Sequence, residues 1–350
     1  MVYIECIIIC KWALLKEVDP YLLDLAAIAT ISDMMELKDY NREIVRLALK
    51  DFETNDYPAI RLLAGEEKID EQIISIIIAP KVNAIGRVVE STQVNRLVQY
   101  FTTPNEEERK LIFQMIVEGN DRRKEWTKKA CETLVIDDNE AAIVAISDQK
   151  EGLIGLIANR LLQQYNKPVI IFAYSEELGV LKGSARSKNG FSIMEAFQEL
   201  KPYFIVSGGH ALAGGCSIKK EAFEDFKNAF IDYAKLHPIT EGKKEAIQLS
   251  LDEITVQNYE IYRSLAPYGV GFEAPQFEVD GLQVSSLSFI SKGEHIMTPI
   301  SMKTKLVGFH INQSSLSNFK TIDIFGNMKM NYFHGKATLQ FMIQSYLGHE

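Results

Sequence analysis

The stretch from Ala141 to Tyr174 constrains the fold most. A short apolar run, "AAIVAIS" (141–147), is followed by "GLIGLIANRLLQQY" (152–165), whose apolar residues recur every three and four positions, and then by a second apolar run, "KPVIIFAY" (167–174). Two short runs rich in β-branched residues on either side of one helical period form a strand, a helix and a strand, and a crossover of that length pairs the strands in parallel. The segment is therefore the start of an α/β domain. A third strand, "GVLKGSARS", leads into "FSIMEAFQEL", where Ser192 and Glu195 have the spacing of a capping box. The domain closes with "EAFEDFKNAFIDYAKL", a helix that places Phe223, Phe226, Phe230 and Tyr233 on one face as core.

The flanking segments have other periods. Upstream, "YLLDLAAIATISDMMEL", "NREIVRLALKDF" and "STQVNRLVQYF" are helical, and Glu107 to Leu134 predicts one long charged helix with only Gly119 as an interruption. Downstream, "HPITEGKKEAIQ" mixes Pro, Gly and charge as linkers do, and "APYGVGFEAPQF" opens a series of short strand-like segments spaced as in a small β-barrel. The expected organisation is a mostly helical domain over 1–105, a connecting helix over 106–136, an α/β domain over 137–236, a linker over 237–248 and a β-barrel over 249–350. A chain of 350 residues with 47% hydrophobic residues has the apolar content for two or three such cores.

Composition narrows the setting. Cys6, Cys10, Cys131 and Cys216 contain no CxxC pair, which points to a reducing compartment, the cytoplasm by default, and away from structural zinc. The apolar start "MVYIECIIICKW" carries Glu5 and is much shorter than the roughly 20 residues of a membrane span, so it is expected to be a buried strand or helix, with no membrane partner. The net charge of −9 is unevenly spread: residues 149–220 hold nine Lys and Arg against five Glu, a local charge of +4 that leaves −13 for the rest. Overall acidity thus does not exclude a nucleic-acid partner for that segment.

Chemistry-bearing residues concentrate there. In "SGGHALAGG" (207–215), Gly208, Gly209, Gly214 and Gly215 surround His210; such a loop lets backbone N–H groups approach an anion, although it also serves simply to pack a turn. "GSARS" (183–187) puts Ser184 and Arg186 on one strand face, with Ser187 beside them; a guanidinium there is either a phosphate fork or a solvated surface charge. The glycine-rich helix start "EGLIGLIANR" adds a third element that favours anions. Three such elements in one positive segment point to a phosphodiester ligand. In the upstream part, "PKVNAIGR" (80–87) joins Asn83, Gly86 and Arg87 after a strand-like apolar run, and "ATISDMM" sets Asp33 among small apolar residues, where a carboxylate pairs, binds metal or caps a helix.

Taken in order, "DLAAIATISDMMEL", "PKVNAIGR", "EGLIGLIANRL", "GSARS" and "SGGHALAGG" resemble the second half of the DHH phosphoesterase family, and within it the RecJ-type single-strand-specific 5′→3′ exonucleases; "APYGVGFEAPQF" resembles the start of that branch's OB-like barrel. The resemblance runs from about Tyr21 onward. It implies the C-terminal part of a DHH domain, a DHH-associated α/β domain and an OB-like β-barrel, acting on single-stranded DNA in repair and recombination with Mn2+ or Mg2+. It also implies that Asp33 ligates metal with Asn83 and Arg87 beside it as catalytic residues, and that Ser184, Arg186, Ser187, Gly208, Gly209 and His210 contact phosphate.

The sequence departs from the family pattern in two respects. Neither the Asp-x-Asp nor the Asp-His-His motif occurs in it, and Lys150 stands where the family often has histidine. Most metal ligands are thus expected from a missing N-terminal half, and the isolated chain is expected to be an inactive fragment, truncated or completed by a separate chain carrying the metal site. Two other functions fit the same residues. One is a non-catalytic single-strand-binding module using Tyr268, Phe272, Phe289 or Phe309 as stacking platforms. The other is a phosphodiesterase for short oligonucleotides or cyclic dinucleotides, against which the added β domain weighs.

Overall fold

The computed structural model of the chain describes residues 19–88, 94–188, 190–239, 245–333 and 336–350. The N-terminal apolar stretch, with Cys6 and Cys10, lies outside the described residues, as does part of the expected linker. The described residues form two compact units, one from the described parts of Met1–Thr54 and Lys243–Glu350, the other from those of Asn55–Gly242.

The first unit begins with helix α1 (Pro20–Ser32), started by Asp19, whose side chain accepts from the Tyr21 N–H, and by Pro20 in the first turn. Its face of Ala26, Ala27 and Ala29 is buried and lacks bulk, so helix α2 (Asp39–Asp51) packs closely on it through Val45 and Ala48. Asp24 is also on α1 and is 0% exposed. Among the described residues, neither of its carboxyl oxygens receives a hydrogen bond from an N–H or O–H group. Burial, aided by the Asp51 carboxylate, pushes its pKa from 3.8 up to about 8, so at neutral pH Asp24 keeps its proton and hydrogen-bonds Asp51.

The second unit opens with helices α3 (Pro58–Ala64), α4 (Ala79–Val88), α5 (Asn95–Thr102) and α6 (Glu106–Thr133). The run "ISIII" before α4, expected to be strand-like, is instead a π-helical turn (Ile74–Ile78) continuous with α4. Ile74 and Ile78 are buried, four residues apart, whereas Ile76 is exposed. With helices as its neighbours, burial at a helical period overrides the β preference of isoleucine. Helix α6 is capped by Asn105, whose side chain accepts from the Glu107 and Glu108 N–H groups, and it runs unbroken through Gly119.

The α/β part consists of β1 (Ile143–Ile146), α7 (Glu151–Tyr165), β2 (Val169–Ser175), β3 (Val180–Arg186), α8 (Ile193–Glu199), β4 (Phe204–Gly209), β5 (Ala213–Lys219) and α9 (Phe223–Leu236), the predicted order with two further strands, β4 and β5, where the sequence suggested only a glycine-rich loop. The sheet order is β1-β2-β3-β5-β4, with β1 and β2 parallel and the other pairs antiparallel. Strand β2 buries both faces. Ile170 and Phe172 meet the α8–α9 layer, where Phe226 and Phe230 are buried and Phe223 and Tyr233 pack against them. Val169, Ile171 and Ala173 meet α7. The α7 side of the sheet carries the site described below.

The rest of the first unit is β6 (Ala246–Gln248), helix α10 (Val256–Ser264), β7 (Gln276–Gln283), β8 (Phe289–Ile290), β9 (His295–Pro299), β10 (Thr304–Gly308), β11 (Thr321–Phe333) and β12 (Lys336–His349), in a sheet of order β6-β7-β11-β12-β10-β9-β8. The expected barrel does not close among the described residues, because β6 and β8 are the sheet's two edges. Of the four candidate stacking aromatics, Tyr268 is buried, Phe289 packs against the core, and Phe272 lies under Arg42, whose guanidinium carbon is 3.7 Å from the ring centroid. Phe309 alone of the four is more than half exposed, at 55%.

Arg42 ties α2 to this β part: its Nη1 donates to the Pro267 carbonyl at 2.8 Å and its Nη2 to that of Leu265 at 2.6 Å. Beneath it, Phe272 stacks on Tyr268 and Tyr268 on Tyr262. Arg42→Ala removes two charge-assisted bonds and a cation–π contact, so it is expected to lower stability by about 2 kcal/mol. Urea unfolding checks this, and an unmoved midpoint counts against the clamp.

Candidate phosphate-binding site

The site is built on the alternation of β3. Leu181, Gly183 and Ala185 face the buried α8–α9 side, which leaves Lys182, Ser184 and Arg186 half-buried on the opposite face, towards α7. Arg186 is held on its own strand: its Nη1 donates to Ser184 Oγ at 3.0 Å and to the Ala185 carbonyl at 2.7 Å. Gly155 of α7 makes room for it, since a Cβ there would lie 3.0 Å from Arg186 Nη2 and 3.1 Å from Ser184 Oγ.

Arg87 reaches the same place from the last turn of α4. Its Nη1 donates to the Gly152 carbonyl at 3.2 Å, and a Cβ on Gly152 would sit 3.0 Å from the Arg87 carbonyl oxygen. The two helix glycines thus let an arginine and a second helix close in on α7. Together these residues line a pocket of about 600 Å³ with Glu151, Lys182, Gly183, Val206, Gly215, Cys216 and Ser217.

The pocket is strongly basic. Among the described residues neither Arg87 nor Arg186 forms an ion pair with a carboxylate. Burial lowers the pKa of Arg186, and the neighbouring Arg87 charge lowers it further; burial also lowers that of Arg87. Arg123 on α6 is lowered in the same way, by burial and then by Arg87, while its guanidinium donates twice to Asn120 Oδ1. Guanidinium groups stay charged under such perturbation, so an anion bound between them would relieve their mutual repulsion. Cys216 is no nucleophile here, because burial pushes its thiol up to about 12.

The other sequence candidates are placed differently. Asn83 lies one turn before Arg87 on the same face of α4, half-buried. Ser187 is buried, with its N–H bonded to the Leu212 carbonyl and its Oγ turned to that of Lys188. Gly208, Gly209 and His210 belong to the exposed β4–β5 hairpin, closed by the His210 N–H on the Ala213 carbonyl at 2.8 Å. Gly209 (φ +149°) has a structural reason: a Cβ there would sit 2.4 Å from the Ala213 oxygen. Gly208 opens on free space. None of these five residues lines the pocket. Asp33 belongs to the other unit, where it ends α1 with its N–H on the Ala29 and Ile31 carbonyls and its side chain exposed.

Lys182 and Val206 were not singled out from sequence, and Gly152 and Gly155 entered only as part of the glycine-rich helix start. For Lys182 the signal was available: it is the third member of the alternation that joins Ser184 to Arg186.

The described residues do not fit a two-metal centre at these positions. Asp33 joins no group of three His, Cys, Asp or Glu side chains close enough to share an ion; the group that meets this test is Glu278, Asp280 and Asp323, on β7 and β11. There Asp323 already accepts from the Gly281 N–H and bonds His349, and Asp280 accepts from Gln248.

Comparison with known proteins follows this division. Residues 138–236 match the DHHA1 domain and residues 246–345 the RecJ OB domain. The chain is 28% identical over 351 residues to the single-stranded-DNA-specific exonuclease RecJ of Bacillus subtilis, covering 95% of this chain and 44% of that protein. It is 24% identical to the RecJ of Escherichia coli, covering 93% and 60%. The crystal structure of RecJ in complex with Mn2+ from Thermus thermophilus superposes with a TM-score of 0.80 at 24% identity, over 95% of this chain and half of that one. The chain therefore spans about half the length of the relatives it matches.

Proposed function

We propose that this chain, a RecJ-like homologue carrying a DHHA1 domain and a RecJ OB domain, is the substrate-gripping part of a RecJ-type 5′→3′ exonuclease that digests single-stranded DNA in repair and recombination. The observation that carries the reading is the pair Arg87 and Arg186, two guanidinium groups free of carboxylates among the described residues and facing one pocket with Ser184. A phosphate in that pocket accepts fork-shaped bonds from the arginines and a further bond from Ser184. Val206, exposed on the pocket rim, offers the adjoining sugar an apolar surface. Within the OB domain itself, the exposed Phe309 offers a base a stacking surface.

Phosphodiester hydrolysis by such a protein would use Mn2+ or Mg2+ to activate water and stabilise the displaced oxygen. Asp33 would supply one ligand, and the others would come from residues outside those described. The task of this chain's own pocket is to bind and orient the phosphate. Asn83, Ser187, Gly208, Gly209 and His210 would support that grip, His210 by closing over the strand from its exposed hairpin.

A manganese-supplemented assay on 5′-labelled single-stranded DNA, with the chain alone and mixed with the N-terminal half of a RecJ-like protein, tests this function. Degradation only by the mixture is the expected result. Strand binding without degradation in either case would favour the non-catalytic binding module, a reading consistent with the lack of a metal-ligand group near the pocket among the described residues.

A further inference from the structure

The pocket contains one feature that phosphate binding alone does not call for. Glu151, the first residue of α7, lines it among basic groups. Its two carboxylate oxygens lie 3.1 and 2.9 Å from Nζ of Lys182. Lys182 stands on the same strand face as Ser184 and Arg186, so the pocket wall carries a third cation, and this one is already paired. Glu151 also occupies the helix N-terminus, where the backbone dipole favours negative charge and an incoming phosphate would compete for the same field.

We propose that Glu151 is a specificity-determining counter-ion: by neutralising Lys182 it limits the pocket to the two charges of Arg87 and Arg186, which have no carboxylate partner among the described residues. Two unpaired positive charges match one terminal phosphate monoester, which carries close to two negative charges at neutral pH. A pocket with three free cations would also hold internal diester phosphates firmly and lose its preference for a strand end. The pair is accessible, with side-chain exposures of 29% for Lys182 and 57% for Glu151, so it can exchange with a ligand. The inference rests on the phosphate reading of the pocket proposed above.

The test is the binding of two single strands of one sequence, 5′-phosphorylated and 5′-hydroxyl, to the full chain, E151Q, E151Q/K182M and R186A across a salt series. E151Q should bind both strands more tightly, by roughly threefold at low salt. It should steepen the dependence of log K on log salt by about 0.7 and narrow the preference for the phosphorylated strand. E151Q/K182M should lose that gain. A gain in affinity cannot arise from misfolding, which keeps the outcome readable. If E151Q binds as the parent does while R186A is weakened, the counter-ion role is overturned and the phosphate site stands. If R186A also binds as the parent does, the phosphate reading falls and the inference with it.

Discussion

Arg186→Ala should weaken the binding of 5′-phosphorylated single-stranded DNA by about 30-fold at low salt, since a desolvated charge-assisted contact is worth roughly 1.5–3 kcal/mol. The slope of log K against log salt should fall by about 0.7, one neutralised phosphate fewer. Arg186 is suited to so large an effect because it is half-buried, held on its strand by the Ser184 and Ala185 bonds, and unpaired with any carboxylate among the described residues. Its orientation is set before the ligand arrives, so little entropy is lost on binding. Arg186→Lys should recover the slope but only part of the affinity, because it keeps the charge and loses the fork. His210→Ala should have a smaller effect, since the imidazole sits on an exposed hairpin away from the pocket lining. Titrations at three salt concentrations decide this, and an unchanged slope in Arg186→Ala would remove Arg186 from the site.

Asp24→Asn should change stability in a pH-dependent way. The folded carboxyl titrates near 8 and the unfolded one near 3.8, so between these values the folded state holds a proton that the unfolded state releases. Its stabilising contribution is complete below pH 3.8 and is lost as the pH rises towards 8, by up to about 1.4 kcal/mol per unit. Asparagine supplies the same donor to Asp51 without the titration. The variant should therefore match the parent near pH 3.5 and exceed it by several kcal/mol at pH 8. Urea unfolding at both values measures the difference. A variant no more stable at pH 8 would mean that Asp24 is charged in the fold.

How far the sequence revealed the molecule depends on the range of the interactions involved. The order of β1, α7, β2 and β3 was legible because strand alternation and helical period are local, and the same alternation placed Ser184 with Arg186. The helical nature of "ISIII" was not, because four β-branched isoleucines in five residues favour a strand until neighbouring helices bury Ile74 and Ile78. The role of Gly155 on α7 was hidden as well: its reason is an arginine arriving from strand β3, which no local pattern encodes. The structural requirement for glycine at Gly209 was hidden too, because its close approach to Ala213 and Gly214 arises only when β4 and β5 pair. Asp24 sits in an apolar helical run that already signals an uncompensated acid, yet its partner Asp51 becomes visible only when α1 and α2 pack. Whether the C-terminal sheet closes depends on edge pairing between strands about forty residues apart, which segment spacing does not decide.

The most direct test of the account compares the affinity of the chain for a 5′-phosphorylated single strand and for the same strand ending in a 5′-hydroxyl, at one moderate salt concentration. The pocket of Arg87, Ser184 and Arg186 predicts at least about 30-fold tighter binding of the phosphorylated strand, since the hydroxyl end loses every contact that Arg186→Ala removes. Equal affinities for the two strands would contradict a terminal-phosphate site at that pocket.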